Sequence, residues 1–208
     1  MVTIPMPVVL KIGGSLLALP DLMERLMGLI HTLRDQPLLV IPGGGFSADV
    51  VRQLDERFRL TPAKAHWDAI AAMSSNAAML TRLERSLLLV RSREEAQNAW
   101  AEGRTAVLDA SLFVAAEELR DNTPPLATSW HVTSDSIAAW VARQWPADRL
   151  ILVKSCDAEE KSLRELSASG KIDASILSVM EGRSAEWLNL RADAQETSGW
   201  AISVCRNR

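Results

Sequence analysis

The chain has 208 residues, 48% of them hydrophobic and 24% charged, with a net charge of −3. That length fits one domain, or one domain with a small second lobe. The weakly acidic balance excludes a bulk basic field for nucleic acid, and the apolar runs fall far short of a membrane span. The chain is read with neither as a partner.

The first element is Val8–Ile12, a continuous aliphatic run of the kind expected in a strand buried on both faces of a parallel sheet. It ends in Gly13, Gly14 and Ser15. Leu22, Leu26, Leu29, Ile30 and Leu33 then predict a helix over 20–34, with Pro20 near its start. Residues 38–41 form a second buried strand, and it too runs into glycines: Gly43, Gly44 and Gly45. A helix is predicted over 46–58, with Val50, Leu54 and Phe58 on one stripe, and another from Pro62 to about Leu83. A strand at 86–90, a helix at 93–101 and a strand at 105–108 continue the alternation. A short helix at 112–119 leads into an irregular stretch, 121–132, that carries Pro124 and Pro125. Residues 134–143 read as a helix and Arg149–Lys154 as a strand ending in a lysine. Beyond it the pattern predicts helices near 158–167 and 184–194 and a closing strand near 200–205. The N-terminus has no basic segment followed by an apolar one, which argues against a secretory signal. The two cysteines, Cys156 and Cys205, lack metal-ligand spacing, so a reduced, cytoplasmic protein is the simplest expectation.

Strands alternating with helices imply an α/β fold, a three-layer α/β/α sandwich with a mostly parallel central sheet. Ligands in such sheets sit at the carboxyl ends of strands. Lys11, Gly13, Gly14, Gly43, Gly44, Gly45 and Lys154 all fall there, and that convergence weighs more than any single motif.

Lys11 with the Gly13-Gly14-Ser15 turn has the makings of a phosphate cradle. The lysine offers charge, and the glycine amides approach oxygens unobstructed by a Cβ. A tight turn beside a solvated lysine is the alternative. Gly43-Gly44-Gly45 precedes a helix, so its amides and the helix N-terminus suit a carboxylate or phosphate; a flexible turn is the alternative. Arg52, two turns on, either meets an anionic substrate or is solvated. Thr133-Ser134-Asp135 reads as a helix cap, as an anchor for the lysines or a metal, or as both. Lys154 is a second phosphate ligand or an exposed strand end. Asp157 has the position to cap the next helix. His66 and His131 read first as structural. Most of the tryptophans are packing residues, with Trp67 or Trp130 open to stacking on a flat substrate ring. Cys156 reads as an inert, half-buried thiol.

Taken as a set, Lys11-Ile-Gly-Gly-Ser15, Pro42-Gly-Gly-Gly45, Thr133-Ser-Asp135 and Leu152-Val-Lys154 resemble the amino acid kinase superfamily, which includes acetylglutamate, glutamate 5-, aspartate and uridylate kinases. Three stretches, 43–52, 65–73 and 129–140, resemble a narrower group: the small kinases of methanofuran biosynthesis, which use ATP to convert aminomethylfuranmethanol phosphate to its diphosphate. The resemblance implies that Lys11 and Lys154 stabilise the transferred phosphoryl group and that Asp135 orients them. Gly13, Gly14, Ser15, Thr133 and Asp157 would serve the nucleotide. Gly43, Gly44, Gly45, Arg52 and His66 would serve the acceptor. ATP with Mg2+ is implied, the metal carried mainly by the nucleotide, as is an oligomer, homomeric or heteromeric. Residues 1–132 would form the acceptor lobe and 133–208 a shortened nucleotide lobe. Where the family shows Asp-Gly, this chain has Asp157-Ala158. A carboxylate kinase and a non-catalytic subunit on the same fold remain as alternatives.

Overall fold

The strands of the computed structural model, which describes residues 6–120, 125–160, 162–192 and 202–207, all join one sheet. They are β1 Val8–Ile12, β2 Leu38–Pro42, β3 Leu87–Val90, β4 Thr105–Leu108, β5 Arg149–Lys154, β6 Ser184–Asn189 and β7 Ile202–Arg206. Their order is β3-β4-β2-β1-β5-β6-β7. Every neighbouring pair is parallel except β6 with β7. The helices are α1 Leu22–Thr32, α2 Gly45–Phe58, α3 Pro62–Leu83, α4 Arg93–Ala101, α5 Ala110–Glu118, α6 Ser134–Gln144, α7 Leu163–Ala168 and α8 Ile176–Val179.

The central strands β1 and β2 are buried along their whole length and almost entirely aliphatic because both sheet faces are covered there, whereas Ile202, Ser203 and Val204 of the edge strand β7 are exposed. Val8, Leu10 and Ile12 pack with Leu22, Leu26 and Leu29 of α1 on one face. Val9 points to the other, with Ile70 and Met73 of α3, Phe113 of α5 and Ile137 of α6. Each such side chain contributes about 1.5–3 kcal/mol on burial. The three-layer sandwich expected from the alternation is thus observed. Lateral strand order turns at β1, flanked by β2 on one side and β5 on the other, and the carboxyl ends around such a point form a crevice.

The C-terminal quarter departs from expectation. The helix expected near 184–194 is strand β6, and residues 193–194 lie outside the described part. Ala185 and Trp187 turn to the core while Glu186 reaches Arg149 of β5, in a two-pronged ion pair of 2.6 and 2.5 Å. A six-residue strand between two partners outweighs a weak helical period. The closing strand begins at Ile202; residues 200 and 201 are not described. The helix near 158–167 is the shorter α7, and α8 follows it unanticipated. Helix α2 carries the expected stripe, but that stripe faces outward: Phe46 is 80% exposed and Phe58 62%, with Val50 and Leu54 also exposed. Residues 121–124 of the irregular stretch, Pro124 included, lie outside the described part. Cys156 is exposed rather than half-buried, because the turn after β5 carries it outward.

Candidate functional site

Side chains alternate along a strand. Lys11 shares its direction with Val9, and Lys154 with Leu150 and Leu152, so both lysines leave the sheet on the face that α6 covers. They meet the same residue there. The Lys11 ammonium lies 2.7 Å from Asp135 Oδ1, and the Lys154 ammonium donates to Oδ2 at 2.7 Å. The Lys11–Asp135 contact is thus a close, buried ion pair. Lys154 also donates to the Lys171 carbonyl at 2.8 Å and stands 5.4 Å over the Trp187 ring. Lys11 is 3% exposed and Asp135 4%, which excludes a solvated Lys11.

Within this triplet two ammoniums against one carboxylate leave one net positive charge, and the Asp173 carboxylate at the start of α6 also acts on Lys11. Burial lowers the Lys11 pKa; Asp135 opposes that, and the Lys154 charge adds to the lowering. Burial pushes the Asp135 carboxyl up, but the two lysines outweigh it and hold the group below its ordinary value. An incoming oxyanion supplies the negative charge the triplet lacks.

The two glycine turns pack backbone to backbone. Gly13 N–H donates to the Val153 carbonyl and Gly43 N–H to the Ile12 carbonyl, each at 2.7 Å. These two amides therefore extend the sheet and are not open to a ligand, which narrows the expected cradle. The open donors are first-turn amides, which have no acceptor within their own helix: Gly14 and Ser15 in the short 3-10 turn Gly14–Ala18, and Gly45 in α2. Gly45 has φ +51°, a conformation that favours glycine. A Cβ on Gly14 would stand 2.5 Å from Gly45 N and 2.7 Å from its Cα. Gly14→Ala is accordingly expected to force the turns apart, costing about 3 kcal/mol and most of the turnover. A Tm within about 2 °C of the parent, read against the several-degree shift such a loss implies, would show that the turns are not coupled.

Asn76 was not anticipated as a site residue. It is buried on α3 and donates to the Gly43 and Gly44 carbonyls at 2.8 and 2.9 Å, holding the second turn in place. Its only signal in the sequence is an amide on the apolar stripe of Ile70, Met73, Ala77 and Leu80. Ser155 was missed as well: its hydroxyl meets that of Ser15 at 2.9 Å and ties the first turn to the chain after β5.

A cavity of about 460 Å³ opens beside the turns. Gly14, Ser15, Gly44, Gly45, Arg52, His66 and Thr133 all line it. Arg52 is paired with Asp49 at 2.6 Å and lies 5.3 Å over the Trp130 ring. Trp130 is in the wall, its indole N–H bound to Asp55 at 2.6 Å, whereas Trp67 packs on the core. His66 is buried, and desolvation lowers its pKa, so it offers the cavity an uncharged hydrogen-bonding group. Lys11, Asp135 and Lys154 are not in the cavity wall, but Thr133 and Ser134, next to Asp135, are. Thr133 caps α6 as expected, accepting from Asp135 N at 3.5 Å, while the Asp135 side chain serves the lysines. Both readings of that segment hold together. Asp157 does not cap the next helix. Ser162 does so, in a capping box with Glu165, because α7 starts later than expected. Asp157 instead accepts from Asn189 at the end of β6, at 3.0 Å.

The fold is similar to that of three solved structures. The UMP kinase from Bacillus anthracis has a TM-score of 0.63 at 15% identity, over 90% of this chain and 89% of that one. The uridylate kinase from Archaeoglobus fulgidus has 0.62 at 19%, over 88% and 90%. The UMP kinase from Ureaplasma parvum has 0.62 at 13%, over 97% and 99%. At these identities the likeness speaks for the fold alone. No functionally curated protein matches the chain in sequence. The family model described as amino acid kinase matches residues 6–158, well over half of the chain, and supports phosphotransferase chemistry. On that match, and with paired glycine turns and two lysines sharing one aspartate at the carboxyl ends of β1 and β5, the chain belongs to the amino acid kinase family.

Proposed function

We propose that the protein is an ATP-dependent phosphotransferase that moves the γ-phosphoryl group to a small phosphate-bearing acceptor, with aminomethylfuran-methyl phosphate as the specific candidate. The observation that carries the phosphotransfer is the buried, net-positive Lys11–Asp135–Lys154 triplet beside two coupled glycine turns. The observation that supports the narrower acceptor is convergence. The stretches 43–52, 65–73 and 129–140, distant in sequence and each similar to the methanofuran-pathway kinases, supply Gly44, Arg52, His66, Met73, Ser129 and Trp130 to one cavity. Its volume suits a molecule of that size.

An acceptor phosphate oxygen is a nucleophile at neutral pH without a base. It forms a bond to the γ-phosphorus while the bond from that phosphorus to the bridging oxygen breaks, and the electron pair leaves with ADP. No proton needs to move. What the protein supplies is position and charge. The amides of Gly14 and Ser15 would hold nucleotide oxygens, Lys11 and Lys154 would neutralise the equatorial oxygens, and Asp135 would keep both ammoniums aimed. Among the described residues no cluster of His, Cys, Asp and Glu is arranged to hold a metal ion, and Asp135 is taken up by the lysines. A magnesium ion would thus ride on the nucleotide phosphates and add charge neutralisation there.

Coupled ADP release with a panel of acceptors tests the reading. The furan phosphate is expected to exceed acetylglutamate and glutamate by about tenfold or more in kcat/KM, as a site built for one polar group discriminates against its replacement. Preference for a carboxylate acceptor would move the protein to the carboxylate kinases.

A further inference from the structure

We infer that Asp173 is a positioning residue for phosphoryl transfer: it fixes the N-terminus of α6 and, through it, the Asp135 carboxylate that Lys11 and Lys154 share. Asp173 lies in the turn between α7 and α8, outside the residues 6–158 that the family model matches. Its Oδ2 accepts from the Thr133 hydroxyl at 2.6 Å and from the Thr133 and Ser136 amides, each at 3.2 Å. Its Oδ1 accepts from the Ser136 hydroxyl and from the Ile176 amide at 3.2 Å. Thr133 and Ser136 bracket Asp135, so the clamp grips α6 on both sides of the residue that organises the lysines.

Local sequence caps this helix only weakly. The Thr133 hydroxyl reaches Asp135 N at 3.5 Å, at the long limit of a hydrogen bond. The charged cap comes from Asp173, and an anion at a helix N-terminus is favoured by the orphan amides and the helix dipole. A cap alone needs only the backbone amides. Asp173 also takes both flanking hydroxyls, which fixes the helix's rotation as well as its end. The same turn reaches the other half of the triplet, since the Lys171 carbonyl accepts from Lys154 at 2.8 Å. One short turn, 171–173, therefore holds Lys154 directly and Asp135 indirectly. A displacement of about 1 Å at a reacting group can cost about a hundredfold in rate, so a clamp at this place bears on turnover more than on binding.

Asp173→Asn keeps the shape, loses the charge and keeps one acceptor oxygen. The test measures this variant and Ser136→Ala, which removes one donor of the clamp, each confirmed folded by its thermal transition. Two readouts are taken. In the kinetic arm, which rests on the phosphotransfer reading above, Asp173→Asn is expected to lower kcat about tenfold or more, with KM for ATP and acceptor within about twofold. Ser136→Ala is expected to shift kcat the same way by less. In the second arm, which needs no turnover, the ¹⁵Nζ resonances of Lys11 and Lys154 are expected to move in Ser136→Ala, which loosens the clamp but keeps the Asp173 charge that also acts directly on Lys11, while that of Lys64, paired on the surface with Asp68, stays in place. A merely structural cap would lower Tm and leave the lysine resonances of Ser136→Ala and the kcat of the folded variants unchanged; either unchanged readout overturns the inference. If the parent protein turns over none of the acceptors, that result counts against the acceptor reading, and the lysine resonances alone decide the role of Asp173.

Discussion

Lys11→Ala is expected to lower kcat by about 10³-fold, the scale on which a preorganised charge at a transferring phosphoryl group acts and about 4 kcal/mol of transition-state stabilisation. The protein should stay folded, for a physical reason. The substitution removes a buried ammonium from a triplet with one charge in excess, and Asp135 keeps its bond to Lys154 at 2.7 Å. No buried ion is stranded, so the loss of stability should stay within about 2 kcal/mol, below the cost of breaking an isolated buried pair. Activity and fold should therefore separate: a steep fall in kcat beside a modest fall in Tm. Turnover within about tenfold of the parent in a folded Lys11→Ala protein would remove Lys11 from the reaction.

Asp135→Asn should strike both at once. It leaves two ammoniums buried near each other with no anion between them, and stranding buried charge costs about 3–5 kcal/mol. The pH dependence carries the signature. In the parent the folded Asp135 carboxyl titrates below its free value of 3.8. The unfolded chain then binds more protons between the two values, so this contribution is complete above about pH 4 and is lost as pH falls through the folded value. The variant lacks that acid limb. Lys11 behaves in the opposite range. Its folded pKa already lies below the free value of 10.5, through burial first, with Asp135 opposing. Removing Asp135 lowers it further, and the penalty is relieved as pH rises toward 10.5, because the unfolded state binds the extra proton throughout that interval. Asp135→Asn should therefore be least stable relative to the parent near neutral pH and recover on the alkaline side. A constant Tm difference across that range would mean that Asp135 does not compensate the lysines.

The parts of this architecture that were legible in the sequence are those set by local pattern. Val8–Ile12 and the run at 38–41 are aliphatic because both sheet faces are covered, and the glycines behind them mark where two turns must touch. Lys11 and Lys154 stood out by ending strands, and Asp135 by opening a helix. That all three form one ion triplet depends on strand order, with β1 beside β5, and spacing along the chain does not carry that. Asn76 and Asp173 were hidden for the same reason: each acts on backbone far away in sequence, on Gly43 and on Thr133. Segment 184–189 misled because Trp187 and Leu188 fit a short helix as readily as a strand. Pairing with β5 and β7 settles it, and that is a tertiary choice. The stripe of α2 was legible as a stripe, but not its surroundings. Val50, Leu54 and Phe58 do share a face, but period alone does not say what that face meets.

The measurement that bears most directly on phosphoryl transfer at this site is ³¹P NMR of the protein with Mg-ATP and, in turn, aminomethylfuran-methyl phosphate, UMP, acetylglutamate and glutamate. The account predicts ADP together with a new diphosphate doublet in the presence of the furan phosphate, absent from a matched sample of Lys11→Ala. ATP left unchanged beside every acceptor, with the protein folded, would contradict it.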